Sequence, residues 1–277
     1  MIALTRIRNS DAVIRSFRGD KPRERLVDLM KEVRAKLVAG EEVKLEFPSK
    51  WSNTKDQLLA ETHDKCAYCE TPTRVVAFGD VEHYRPKSVY WWLAYCYDNY
   101  LASCAVCNQR FKGKKFEHAG PMMPAPPVEA AMTDEEIEEI AKTAIPDPLI
   151  DDDVAIFEEA HRTEKPLIPN PYIDKPEEIF AWDVLEGAQE IEVVARPGVP
   201  LAEKIVDAAE RIYGLNRPEL KRLRFDWFRI YNLSRLTADS PGVPQALKDM
   251  HLALIETMKQ PNSQYAAMIR FFESDQD

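Results

Sequence analysis

Cys66-Ala67-Tyr68-Cys69 and Cys104-Ala105-Val106-Cys107 enclose the string Asp80-Val81-Glu82-His83-Tyr84-Arg85-Pro86-Lys87-Ser88, and Asn108 directly follows the second pair. Four thiols in two CxxC pairs form a zinc pattern, because each turn aims two sulfurs at one ion and four thiolates complete a tetrahedron. The 34 residues between Cys69 and Cys104 exceed the roughly 15 to 20 of a simple ribbon. A folded unit therefore stands between the knuckles. Its expected course is a strand over Arg74 to Val81, a long loop, a strand over Asn99 to Ser103 and a helix over Ala105 to Lys115. Cys96, flanked by Tyr95 and Tyr97, reads as a core residue.

Outward from this unit, Leu26, Met30, Val33 and Leu37, with Gly40 beyond, predict an amphipathic helix over Pro22 to Leu37. A second helix over about Thr54 to Asp64 delivers the chain to Cys66. Pro121-Met122-Met123-Pro124-Ala125-Pro126-Pro127 cannot sustain a helix or a central strand and marks a linker. Thr133-Asp134-Glu135-Glu136 opens an acidic helix with a capping box. The prolines and the Asp151-Asp152-Asp153 run that follow predict some forty irregular residues, with one strand at Ile191 to Val194. Helices are expected over Leu201 to Tyr213, from Pro218 onward, over Val243 to Met258 and over Gln264 to Phe272. The expected class is α+β, predominantly helical. Residues 1–120 form the metal-bearing part, 121–150 a linker with an acidic helix, and 151–277 a mostly helical C-terminal part.

Net charge is -10, which disfavours a polyanionic partner when spread evenly. It is not spread evenly. Residues 1–120 carry about +5 and residues 121–277 about -15, so nucleic acid would be held by the first part and the second suits a protein partner. No run reaches the roughly 18 to 20 apolar residues of a membrane span. The early charges at Arg6 and Arg8 do not fit a signal peptide, so a cytoplasmic location is expected, where paired cysteines bind metal rather than form disulfides.

Residues 66 to 116 resemble HNH endonucleases, in which two zinc knuckles brace a ββα-metal site. The Asp80 to Ser88 string followed by CxxC and Asn108 is similar to the HNH subunits of bacterial anti-phage systems of the Septu type, including those attached to some retrons. A fainter echo runs through Gly214-Leu215-Asn216-Arg217-Pro218-Glu219-Leu220. The resemblance implies that Glu82 and Asn108 bind a catalytic metal, that His83 is the general base, that Asn99 positions the histidine or its loop, and that a partner ATPase licenses cutting. Many members place Asp or His where Glu82 stands and His where Asn108 stands. Lys112 occupies a position where some carry a second helix ligand, which leaves a one-metal site.

The residue types support that chemistry by themselves. Phosphodiester hydrolysis needs a base to take a proton from water and a cation to stabilise the phosphorane and the leaving oxygen. His83, ordinarily titrating near pH 6.5, suits the first task. Hard oxygen donors such as Glu82 and Asn108 favour Mg²⁺ or Mn²⁺ over zinc. Neighbours on a strand face opposite ways, so Glu82 and His83 share a site only where the strand twists or ends. Arg85, Lys87, Arg110, Lys112 and Lys114 form a candidate basic rim for phosphate contact, which DNA and RNA share; it is the resemblance that implies DNA rather than RNA. Two alternatives remain open at this level: a non-catalytic zinc module binding nucleic acid or protein, and a ribonuclease toxin.

Overall fold

The computed structural model describes residues 1–74 and 77–274. Helix α1 (Asp20–Ala39) buries Leu26, Leu29, Met30 and Val33 on one face and stops at Gly40, whose φ of 69° is the left-handed cap. A 3₁₀ turn over Trp51–Thr54 leads into α2 (Lys55–Glu61). Strands β1 (Asp80–His83) and β2 (Tyr100–Ser103) pair antiparallel, with His83 opposite Tyr100 and Glu82 opposite Leu101. The first strand thus lies at the end of the stretch expected to be extended, of which Val75 and Val76 fall outside the described residues. Where a regular helix was expected after the second knuckle, a π-helical segment runs over Val106–Lys112, with the Gly113 amide reaching back five residues to the Asn108 carbonyl at 2.7 Å.

The acidic helix α3 (Asp134–Ala141) opens with both halves of its capping box, joining Thr133 and Glu136. Beyond it the structure corrects the expected irregular stretch: Asp151–Glu164 is a helix, α4. Its three aspartates occupy the first turn, where the helix dipole favours negative charge, and Val154, Phe157, His161 and Glu164 form its buried face. Flanking prolines mask a helical spacing of three and four. The short α5 (Pro176–Ile179) leads into β3 (Phe180–Leu185), which pairs with β4 (Glu190–Ala195) as a hairpin of which only the second strand was anticipated. Helices α6 (Ala202–Tyr213), α7 (Pro218–Asp239), α8 (Gln245–Met258) and α9 (Ala266–Ser274) complete the chain. No helix among the described residues is long and apolar enough to cross a membrane.

The largest buried cluster includes Tyr68, Tyr84, Leu101 and Cys107 together with Phe180, Ile212, Tyr213, Phe225 and Met268. Apolar side chains on both sides of residue 120 therefore share one core. Tyr68 and Tyr213 stack with ring centroids 4.7 Å apart. The chain around the proline-rich stretch is stitched to α4, since Gly120 and Met123 donate their amides to the backbone and side chain of Glu164 at 2.8 and 2.9 Å.

Candidate active site

The four paired cysteines converge. The sulfurs of Cys66, Cys69, Cys104 and Cys107 all lie within 4.8 Å of one another, and none is in a disulfide. Tetrahedral Zn–S bonds of about 2.3 Å place sulfurs about 3.8 Å apart, so the cluster fits such an ion with only small adjustment. Its surroundings suit thiolates: the Cys107 amide points at Cys104 Sγ at 3.4 Å, and the Arg217 guanidinium reaches Cys107 Sγ at 3.5 Å. Arg217, the residue just before α7, turns toward the cluster and also donates to the Tyr213 and Gly214 carbonyls. Its neighbour Arg224 is buried, donating to Leu215 and Asn216.

His83 closes β1 at a cleft of roughly 440 Å³ that Glu82, Lys87, Asn108, Lys114 and Trp51 also line. Its Nε2 lies 3.1 Å from the Ala94 carbonyl oxygen. A carbonyl only accepts, so Nε2 carries the hydrogen and Nδ1 keeps its lone pair. Trp51 stands edge-on to the imidazole with ring centroids 4.6 Å apart, and Tyr100 does so on the paired strand at 5.1 Å. Burial, with the Lys87 and Lys112 ammonium groups nearby, holds the His83 pKa down at about 3, so the ring is in its base form.

The structure places the other anticipated residues in three groups. Asn99, fully buried, accepts from the Arg85 amide at 2.8 Å and donates to the Arg85 carbonyl at 2.9 Å; it braces the loop after β1 rather than the imidazole. Asn108 borders the cleft, with its amide nitrogen 3.1 Å from Asp80 Oδ2. Lys87 and Lys114 line the cleft, Lys87 lying over the Trp51 ring at 4.7 Å, and Arg110 is exposed nearby.

Two residues expected on the basic rim are interior, and here the sequence expectation is corrected. Arg85 is fully buried and ion-paired with Glu164, which also accepts from Tyr90. That pair extends to His161, whose Nδ1 lies 3.2 Å from the Arg85 guanidinium and whose Nε2 lies 3.0 Å from Asp174. Lys112 is 1% exposed, ion-paired with Glu82, and donates to the His83 carbonyl at 3.1 Å. Neither cation can reach a phosphate from there. Burial raises the Glu82 pKa above the ordinary carboxylate value, and the Lys112 ammonium offsets part of that rise.

Sequence reasoning assigned no role to Trp51 or Asp80. A single tryptophan ahead of a helix carries no motif. Asp80 stood inside the decisive string, and its signal was its place two residues before Glu82, on the same face of a strand.

Part of the chain is similar to Septu protein PtuB. The relative is from Bacillus mycoides (strain KBAB4), and identity is 32% over 77 residues, which cover 23% of this chain and 26% of PtuB. The chain thus spans about a quarter of the length of the curated relative it matches. No family model and no solved structure matches it.

Proposed function

We propose that this protein is a metal-dependent endonuclease of the HNH kind, the effector of a Septu-type anti-phage system. The observation that carries the reading is His83: a buried neutral imidazole, its Nε2–H fixed on the Ala94 carbonyl and its Nδ1 left as a base, beside oxygen donors and lysines at one cleft. A passive zinc module has no use for that arrangement. The antiparallel β1–β2 pair, followed by the helical segment bearing Asn108 beside the four-cysteine cluster, supports reading this part of the chain as a ββα-metal unit.

In this reading His83 takes the proton of an attacking water at Nδ1, and the Ala94 carbonyl holds the ring in the reactive tautomer. Lys87 and Lys114 hold the scissile strand by its phosphates. Asn108 and the carboxylates of β1, Asp80 and Glu82, are the oxygen donors available for Mg²⁺ or Mn²⁺. A cation bound by them would stabilise charge on the phosphorane and the leaving oxygen. The four cysteines would hold a structural zinc. The similarity to PtuB supports a defence role; in this reading DNA is the substrate and a partner ATPase controls the cut.

Zinc-replete protein, alone and reconstituted with the partner ATPase, should nick or cut duplex DNA only with Mg²⁺ or Mn²⁺. His83→Ala should lower the rate by about 10² to 10⁴ at unchanged zinc content, in protein that its melt shows to be folded at the assay temperature. Undiminished cutting by that variant, or no cutting under either condition, would overturn the nuclease reading. Preference for an RNA strand would overturn the choice of DNA.

A further inference from the structure

We propose that Asp80 and Asn108, rather than Glu82, hold the catalytic divalent cation, an inference that rests on the metal-dependent reading of the cleft. The two β1 carboxylates differ in what already neutralises them. Glu82 is 3% exposed and ion-paired with a lysine that is itself buried, so a cation on Glu82 would sit against the Lys112 ammonium and be repelled by it. Displacing Lys112 would leave an unpaired charge in the interior.

Asp80 presents the opposite case. It is half-buried, and its Oδ2 accepts from two neutral amides, Asn108 Nδ2 at 3.1 Å and Gln109 Nε2 at 2.9 Å. Among the described residues no ammonium or guanidinium pairs with it, although Lys55 lines the same cleft. That cleft, of roughly 300 Å³, is walled by Ser49, Ser52 and Asn108. It has room and hydroxyls for the waters that a small hard cation retains. A half-turn of the Asn108 amide exchanges its nitrogen for its oxygen, so that both Asp80 and Asn108 face one point with oxygen. Because Asn108 borders both this cleft and the one holding His83, a cation there would adjoin the base. Glu82 becomes a positioning residue: with Lys112 it fixes the backbone at His83.

The test is a Mn²⁺ titration of the zinc-loaded full chain followed by electron paramagnetic resonance, with and without a short DNA duplex. Asp80→Asn should weaken the tight site at least about 10-fold. The charge-balanced Glu82→Gln/Lys112→Met double variant should retain it. Thermal melting and zinc content establish that each variant is folded. Wild-type affinity in Asp80→Asn, or loss of binding in the folded double variant, would overturn the assignment and leave the nuclease reading standing. Absence of any tight Mn²⁺ site in the wild type, under both conditions, would remove the metal-dependent reading itself.

Discussion

At the scale of single residues, the interior around the site is unusually ionic, and that has measurable costs. Lys112 and Glu82 are both buried and pair with each other, so removing one partner strands the other charge. Lys112→Met should destabilise the protein by about 3 to 5 kcal/mol, and adding Glu82→Gln should restore most of that loss. Urea denaturation of the two singles and the double checks this, and simple additivity would show the pair is not coupled. The remaining cysteine gives a pH prediction. Burial, then the nearby Asp98 carboxylate, pushes the Cys96 thiol up to about 12. An acid whose folded pKa lies above its unfolded value of about 8.5 leaves stability untouched below that value. As pH rises from there toward 12 the unfolded chain ionises and the folded one does not. Stability should fall by about 1.4 kcal/mol per pH unit in that window. Denaturation at pH 8 and pH 10 should show a steeper loss for wild type than for Cys96→Ala, and parallel losses would refute it. Residue identity was the most legible level of the chain. His83, Asn99 and Asn108 stood out because their types and spacing mean something. The burial of Arg85 and Lys112 was not legible, since their partners lie 79 and 30 positions away in sequence and no local pattern reports them.

Among elements, those with a period of their own could be read and those defined by a partner could not. Helix α1 shows its apolar stripe and glycine stop, and α3 its capping box. Strand β3 is visible only through β4, against which it pairs over Phe180–Leu185, and α4 was hidden by the prolines around it. Helix α6 ends at Gly214 for two separable reasons. Its φ is +61°, and a Cβ there would lie 2.6 Å from the Phe111 ring. Gly198 has φ of +77° with open space around it, so it isolates the backbone part. Gly198→Ala should cost about 1 to 2 kcal/mol, and Gly214→Ala about 2 to 4 because the ring must also give way. Thermal melts of the two variants check the difference, and equal losses would mean Phe111 moves freely. Phe111 belongs to the π-helical segment that carries Asn108, so this contact ties the end of α6 to the candidate site.

For the whole molecule, charge suggested two parts, while the largest of three buried clusters draws side chains from both. The asymmetry between residues 1–120 and 121–277 is real, yet Tyr68 stacks on Tyr213 and Arg217 reaches Cys107. Sequence could show the composition of each half; which faces meet is a property of tertiary packing. Residues 1–120 expressed alone should therefore fail to give a cooperative melt and should lose zinc to a chelator much faster than the full chain. A stable, zinc-retaining fragment would instead restore the picture of separable parts. Zinc removal from the full chain should likewise lower the melting temperature of the whole, because structural zinc contributes folding free energy directly. The shared core also imposes an order in time. Cys107 and the arginine that caps it are 110 residues apart, which at roughly 5 to 20 residues per second of synthesis is a delay of roughly 5 to 20 s. For that interval all four thiols have left the ribosome while their cover is still being made. With zinc as the proposed occupant of the cluster, metal capture would then have to outrun loss of the uncovered thiols on the nascent chain, and the concentration of available zinc at the ribosome would help set how much folded protein the cell obtains.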